Sequence, residues 1–365
     1  MSQPIRVLVV DDSALMRKLL TQVLESDHSI QVVGTAMDGS FGLKKIEELK
    51  PHVVTLDLEM PRMDGLEMLR EITRKHRVPV IVVSAHSKQG AYSTFKALAL
   101  GAFDFVAKPK DAVSGHLGEI AAQLTSKIKA AAVAGAPRVT LPLAERKAHK
   151  PAIKQRKPAT KVVAIGISTG GPNALQYLFS QLPGDFPGSI LVVQHMPEGF
   201  TETFARRLDE CSAIEVKEAQ PGDVLLAGRA LICPGDRNLS AKRMPLGDVA
   251  VISDHPRVNG HRPSVDVLFE SVAGEFGSNA IALLMTGMGE DGARGMAAVK
   301  AAGGLTMAQS PESCVVEGMP RAAIEKGNVT RVVPLDALAN ALYAQCVRES
   351  GSRDSSPVSP HPAVK

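Results

Sequence analysis

Short runs of β-branched residues alternate with amphipathic stretches along most of the chain, and this alternation limits the folds open to it. In the first part of the sequence the apolar runs are Ile5–Val10, Gln31–Thr35, His52–Leu56, Val78–Val83 and Phe103–Ala107. Helical periodicity between such runs favours strands that pair in parallel through right-handed crossovers. The pattern predicts a doubly wound α/β domain over residues 1–134, with its last helix near Gly115–Ala132.

The pattern stops over residues 135–159, which are rich in proline, lysine and arginine. Proline prevents regular structure and the basic residues favour solvent, so we interpret this segment as a linker. Strand-helix alternation resumes at Lys161–Ile167, Ser189–Gln194 and Ile281–Thr286, which predicts a second doubly wound, Rossmann-like domain over residues 160–348. Within it, Val224–Pro234 is expected to form short strands of an antiparallel edge or hairpin. The Ser- and Pro-rich residues 349–365 are expected to be a disordered tail.

Composition excludes several classes of protein. Apolar residues make up 44% and charged residues 22%, as in soluble globular proteins. No apolar run approaches the roughly 20 residues that span a bilayer and no secretory signal is evident, so we expect a cytoplasmic protein without membrane insertion. The four cysteines lack paired spacing, which argues against disulfides or zinc. A net charge of +4 without tryptophan gives no support for a nucleic-acid partner.

Polar residues stand where successive strands of the first predicted sheet end. Asp11 and Asp12 follow the first strand, Asp57 follows the third, and Ser84 and Lys108 close the fourth and fifth. Parallel strands end at one edge, where neighbouring carboxylates repel each other unless a hard cation such as Mg²⁺ lies between them. Any one of these residues is equally consistent with a solvated loop group. Together they predict a phosphoryl-accepting site, with Lys108 and Ser84 contacting phosphoryl oxygens.

The sequence KVVAIGISTGG over Lys161–Gly171 predicts a strand and a tight turn, followed by a helix from Pro172. Such a turn presents Ser168 beside free backbone amides and a helix dipole, which stabilise developing negative charge. A phosphate-binding glycine loop, in which Ser168 only caps the helix, is an equal alternative on this segment alone.

His195 and Asp291 each follow a buried strand of the same predicted sheet. A serine, a histidine and an aspartate at one sheet edge are the residue types of a nucleophile, its general base and the group that orients the base. Although Gly166–Gly170 matches G-x-S-x-G, the chain order Ser, His, Asp differs from that of α/β-hydrolases, so a different scaffold is favoured.

Other polar and sulfur-containing residues near these motifs are rival candidates. His255, His261 and Asp266 are expected to have structural or substrate-positioning roles rather than to act as acid or base. Met285, Met288 and Met296 are expected to pack in the core, because no histidine or cysteine alternates with them to form a metal site.

The first 130 or so residues resemble the response-regulator receiver family at every motif position. The resemblance implies that Asp57 is phosphorylated by a chemotaxis histidine kinase. It also implies that Mg²⁺ is held by Asp12, Asp57 and the backbone carbonyl of Glu59, with Asp11 acting through water. Ser84 and Phe105 match the switch residues of that family, and Lys108 matches its invariant lysine.

The stretches GISTGGPNAL, QHMPEGFTETFARRL, HRPSVDVLF, MTGMGEDGARG and GMPRAA resemble the CheB-type chemotaxis protein-glutamate methylesterases. The resemblance implies cofactor-free hydrolysis of glutamyl methyl esters, and deamidation of glutamines, on the cytoplasmic domains of chemoreceptors. It assigns Ser168 as nucleophile, His195 as base and Asp291 as its orienting partner, with backbone amides near Thr169 and Met288 as oxyanion donors.

Two residues depart from the family pattern. Asn238 stands where many relatives have histidine, and Glu317 where an apolar residue is common. They leave the candidate triad intact and bear on the shape of the substrate groove.

We therefore expect a hydrolase switched by phosphorylation. The family resemblance favours a receiver that inhibits the hydrolase, and the alternative is a receiver that only docks the enzyme onto its signalling array. A receiver joined to a binding or DNA-binding module is a second possibility, which the complete triad and the lack of a recognition-helix pattern disfavour. A nucleotide-binding enzyme is a third, which the absence of G-x-G-x-x-G spacing disfavours.

Overall fold

The computed structural model describes residues 3–108, 117–136 and 157–347. The first part of the chain forms a five-stranded parallel sheet. Its strands are β1 (Ile5–Val10), β2 (Ile30–Ala36), β3 (Val53–Leu56), β4 (Val80–Ser84) and β5 (Asp104–Ala107), and its helices are α1 (Ala14–Glu25), α2 (Gly39–Leu49), α3 (Gly65–Glu71), α4 (Lys88–Ala99) and α5 (Leu117–Ala134). The strand order β2-β1-β3-β4-β5 is that of flavodoxin-like domains.

Local sequence explains where these helices begin. The side chains of Ser13, Asp38, Asp64 and Ser87 each accept a hydrogen bond from a backbone amide in the first turn of α1 to α4, respectively, which is the preferred N-cap chemistry. At Gly65 a Cβ atom would lie 2.2 Å from the carbonyl oxygen of Asp57, so only glycine lets α3 begin this close to the end of β3.

The second part of the chain forms a seven-stranded parallel sheet and a separate antiparallel hairpin. The sheet strands are β6 (Val162–Ile167), β7 (Ser189–Gln194), β8 (Glu215–Glu218), β9 (Arg229–Ile232), β12 (Ala280–Leu284), β13 (Leu305–Gln309) and β14 (Arg331–Val333), and the hairpin is β10 (Asn238–Lys242) and β11 (Val249–Ser253). The helices are α6 (Gly171–Gln181), α7 (Thr201–Cys211), α8 (Val265–Phe276), α9 (Ala293–Ala301), α10 (Gly318–Glu325) and α11 (Leu338–Val347). The sheet order is β14-β13-β12-β6-β7-β9-β8.

The prediction of two α/β domains with parallel sheets is confirmed. The predicted antiparallel element over Val224–Pro234 is confirmed only in part, because Val224 and Leu226 form isolated antiparallel bridges with Val249 and Pro158. Within Val224–Pro234 the strand is β9, which pairs in parallel with both β7 and β8. The hairpin lies further along the chain, where Leu239 and Ala241 of β10 are buried and the amide of Ala241 donates to Ser271 of α8. Short amphipathic strands do not reveal their partners, and packing against α8 decides this one.

Most of the predicted linker lies outside the described residues. The predicted tail over residues 349–365 lies wholly outside them. The predicted domain boundaries remain predictions. No helix within residues 3–108, 117–136 and 157–347 is both long enough and apolar enough to span a bilayer.

Candidate phosphoacceptor and active sites

The acidic residues predicted from the first sheet lie together at its carboxyl edge. Asp11 and Asp57 are buried, and Nζ of Lys108 lies 3.0 Å from Oδ2 of Asp11 and 2.7 Å from Oδ2 of Asp57. Burial raises the pKa of the Asp57 carboxyl, although Lys108 opposes this rise. Each of Asp11, Asp12 and Asp57 offers a carboxylate oxygen within 4.8 Å of the others. Such a set of oxygen atoms suits a hard divalent cation.

The two predicted switch residues lie on neighbouring strands beside this cluster. The hydroxyl of buried Ser84 donates to the carbonyl of Gly90 in α4, at 3.1 Å. Phe105 is also buried, and its ring stacks on Phe200 of the second domain at a centroid distance of 5.0 Å. The amide of Glu59 donates to Oδ1 of Asp57 at 3.3 Å.

Ser168 and His195 leave adjacent strands of the second sheet at the same level. Ile167 pairs with Gln194 at the ends of β6 and β7. Ser168 follows Ile167 and His195 follows Gln194, so both residues lie just beyond their strands. Asp291 lies in the loop between β12 and α9, and its Oδ2 accepts a hydrogen bond from Nε2 of His195 at 2.8 Å. Among the described contacts no hydrogen bond joins the Ser168 hydroxyl to His195. Nδ1 is the ring nitrogen that remains for this serine.

Asp291 lies at the N-terminus of α8, which the sequence did not reveal. Its two oxygens accept hydrogen bonds from the Ser264 hydroxyl at 3.0 Å, the Val265 amide at 2.8 Å and the Asp266 amide at 3.0 Å. Burial opposes ionisation, but the hydrogen bonds from His195 and these amides outweigh it and lower the pKa of Asp291 to about 2. Asp291 is therefore an anion at neutral pH, ready to orient an imidazole.

Asp266 forms the reverse contact with the next helix. Its Oδ1 accepts hydrogen bonds from the amides of Gly292 at 3.0 Å and Gly295 at 2.8 Å, at the start of α9. Asp291, on the loop before α9, thus binds the start of α8, while Asp266 of α8 binds the start of α9. The exchange fixes the two helices relative to each other.

His261 contacts the candidate base directly. Its ring stacks on that of His195 at a centroid distance of 4.1 Å and an interplanar angle of 4°. Burial, together with His195, lowers the pKa of His261 to about 4, so it is neutral at pH 7. His255 is exposed, and its carbonyl accepts a hydrogen bond from Asn238.

The predicted oxyanion residues flank Ser168. Thr169 is buried and its carbonyl accepts a hydrogen bond from the Thr286 hydroxyl at 3.0 Å. A Cβ at Gly287 would lie 2.8 Å from Cβ of Ser168, so the loop that carries Met288 passes directly beside the serine. Met285 and Met296 are fully buried, as expected for packing residues, whereas Met288 is only partly buried.

The two departures from the family pattern have different surroundings. Asn238 is buried, and its Oδ1 accepts a hydrogen bond from the amide of Ser264 at 3.0 Å. Ser264 in turn donates its hydroxyl to Asp291, so Asn238 holds a hydrogen-bond partner of Asp291 in place. Glu317 is more exposed and pairs with Arg321 at 2.9 Å.

The first domain packs against the loops and helices around Ser168. Phe95 of α4 stacks on Phe204 of α7 at 5.3 Å, in addition to the contact between Phe105 and Phe200. Ser126 of α5 lies 3.2 Å from the sulfur of Met288. The interface therefore reaches both the loop that starts at His195 and the loop that carries Met288.

Comparison with known proteins identifies both halves of the chain. Residues 163–342 match the family described as CheB methylesterase, and residues 7–116 match the response regulator receiver domain. A Koribacter versatilis protein named protein-glutamate methylesterase/protein-glutamine glutaminase 2 is 63% identical, with 94% of this chain and 96% of the relative covered. A Symbiobacterium thermophilum protein of the same activity name is 47% identical, with 93% and 96% covered. The crystal structure of the Thermotoga maritima CheB methylesterase catalytic domain is similar at a TM-score of 0.50 and 40% identity, covering 51% of this chain and 99% of that one.

Proposed function

The chain belongs to the CheB methylesterase family and carries a response regulator receiver domain, and from this membership we propose that it is a protein-glutamate methylesterase and glutaminase controlled by phosphorylation. The observation that carries the proposal is the contact between His195 and the ionised Asp291 on the strand edge that also bears Ser168. We propose a receiver over residues 1–134, a linker over 135–159, a catalytic domain over 160–348 and a tail over 349–365.

In the proposed reaction, Oγ of Ser168 attacks the carbonyl carbon of a glutamyl methyl ester while Nδ1 of His195 takes the serine proton. Asp291 stays ionised, accepts a hydrogen bond from the Nε2–H of His195 and stabilises the imidazolium that forms. The imidazolium then returns its proton to the leaving methoxide, and methanol departs. Water, activated by the same imidazole, cleaves the acyl-enzyme to glutamate. A glutamine side chain follows the same course with ammonia as the leaving group.

Negative charge that develops on the substrate oxygen requires donors beside Ser168. We propose the backbone amides of Thr169 and Met288, because their loops flank the serine and backbone donors need no reorganisation during the reaction. The catalytic domain would need no cofactor for this chemistry.

The receiver would accept a phosphoryl group on Asp57 from a chemotaxis histidine kinase. Asp11, Asp12 and Asp57 fit Mg²⁺ because their carboxylate oxygens converge within 4.8 Å. The backbone carbonyl of Glu59 would be a further ligand, as the resemblance to receivers implies. When bound, the ion would neutralise phosphoryl charge. Lys108, which now pairs with Asp57, would then contact a phosphoryl oxygen, and Ser84 would exchange its bond to Gly90 for another.

We propose that the unphosphorylated receiver hinders access to Ser168 and that phosphorylation of Asp57 releases it. The contacts of Phe105 with Phe200 and of Ser126 with Met288 support this view, because they link β5 and α5 of the receiver to both loops beside Ser168. The substrates would be cytoplasmic domains of chemoreceptors, which places the enzyme in the cytoplasm and in chemotaxis adaptation.

The decisive experiment measures methanol release from a glutamyl-methylated receptor fragment. Ser168→Ala is expected to lower turnover by several orders of magnitude in a folded protein, because the members of a triad act as a unit. Folding is checked by circular dichroism. Release at a near-wild-type rate from the folded variant would refute the role of Ser168.

A further inference from the structure

Gln194 is the last residue of β7 and directly precedes His195. Its side chain is buried, with 3% exposed. Its amide nitrogen donates to the backbone carbonyl of Ser168 at 3.0 Å and to that of His195 at 3.2 Å. One neutral amide group therefore joins the backbones of the two residues that the proposed reaction uses as nucleophile and base.

This link stands where the two strands separate. The amide of His195 donates to the carbonyl of Ile167 at 3.1 Å, one step beyond the paired residues of β6 and β7. The amide of Ser168 instead donates to Thr286, which follows β12 on the other side of β6. The chain after Ser168 turns into α6, and the chain after His195 runs towards α7. Beyond that last backbone hydrogen bond, the Gln194 side-chain amide connects the two diverging segments by binding the carbonyls of Ser168 and His195.

The orientation of this amide follows from its neighbours. Oε1 of Gln194 is buried and accepts no hydrogen bond from the described residues. The reverse orientation of the amide would set its oxygen against two carbonyl oxygens. Gly171 leaves room for Oε1, since a Cβ there would lie 2.0 Å from it.

We propose that Gln194 is a positioning residue that sets the distance between Ser168 and His195 through its two N–H donors. The inference rests on the proposed function, in which Ser168 is the nucleophile and His195 its base. A misplacement of about 1 Å can cost on the order of 100-fold in rate. Two donors on one uncharged nitrogen are available from few side chains, and at this length only from glutamine.

Two substitutions separate this role from simple packing. Gln194→Met keeps the approximate volume and donates nothing. Gln194→Glu keeps the shape but, when ionised, offers only acceptors to two acceptor carbonyls. When protonated, the same glutamic acid regains one donor, so its effect should depend on pH.

The test measures how fast a fluorophosphonate probe labels the full-length chain in the presence of Mg²⁺ and a small phosphodonor, from about pH 5 to about pH 8. Ser168 Oγ forms a bond to phosphorus, fluoride leaves, and the serine proton passes to His195. We expect Gln194→Met to slow labelling about 10- to 100-fold at every pH. We expect Gln194→Glu to slow it further near neutrality, and the ratio of its rate to the wild-type rate to rise as pH falls.

Gln176→Met and Gln176→Glu are the matched controls, because the Gln176 amide on α6 accepts a hydrogen bond from Arg207 on α7 at 3.4 Å. They should label like the wild type at temperatures well below each melting midpoint. The inference would be overturned if the labelling rate of Gln194→Glu stayed a fixed fraction of the wild-type rate at every pH. It would also be overturned if Gln194→Met were labelled as fast as the wild type. Neither result would affect the proposed function. Labelling that persists in Ser168→Ala would overturn the proposed function, and the inference with it.

Discussion

Weakening the aromatic contact between the domains should raise the basal activity of the unphosphorylated enzyme. Phe95 of α4 stacks on Phe204 of α7 with an interplanar angle of 19°. Phe95→Leu keeps an apolar side chain of similar size, removes the stack on Phe204 and leaves the catalytic domain unchanged. It also removes an edge contact with Phe105 at 6.3 Å, but that contact lies within the first domain and is lost in both arrangements. It should therefore shift the proposed equilibrium between inhibited and accessible arrangements without altering the chemistry.

The expected size of this shift follows from the energy of one ring pair. Such a pair contributes about 0.5 to 1.5 kcal/mol beyond area burial, which corresponds to a factor of about 2 to 13 in the equilibrium constant. If the inhibited arrangement predominates, the basal rate is proportional to the accessible fraction and should rise by the same factor. The phosphorylated rate should stay unchanged.

The assay compares initial rates of methanol release from methylated receptor, with and without a small phosphodonor. Phe41→Leu is the control, because Phe41 is an exposed ring on α2 of the same domain. A chain lacking residues 1–159 gives the upper limit of release from inhibition. Phe204→Leu completes a double-mutant cycle that isolates the pairwise energy. An unchanged basal rate in Phe95→Leu, or an equal rise with and without phosphodonor, would refute the reasoning.

Two further predictions concern carboxylates. Asp57→Asn should abolish acyl-phosphate labelling while basal esterase activity remains, and labelling that survives in the variant or ignores Mg²⁺ chelation would contradict the assignment. Asp291 has a folded-state pKa of about 2, below its unfolded value, so its contribution to the free energy of unfolding is present above about pH 4 and lost as pH falls towards 2. Urea denaturation should therefore show that the free energy of unfolding falls by about 2 kcal/mol more in the wild type than in Asp291→Asn as the pH is lowered. An equal decrease in both proteins would exclude a lowered pKa of Asp291.

The sequence predicted the strand ends well and the contacts of the side chains poorly. Val, Ile and Leu runs mark buried parallel strands closely, so the positions of Asp57, Ser168 and His195 just beyond strands followed from pattern alone. The support from Ser264 depends on how α8 packs beside the loop before α9, and local sequence does not encode that packing. Gln194 was visible only as the residue before His195, since the reach of its amide depends on where two strands diverge.

The contacts around Asp291 bear on what phosphorylation can change. Its carboxylate accepts hydrogen bonds from His195, Ser264 and two amides of α8, and Asp266 ties α8 to α9 in return. Moving Asp291 would leave a buried charge without donors, which costs far more than separating a few rings at the domain interface. His195 is held by the same carboxylate and by the stacked ring of His261. We therefore expect regulation to act on access to Ser168 and on the loop of Met288, while the pairing of His195 with Asp291 stays intact in both arrangements.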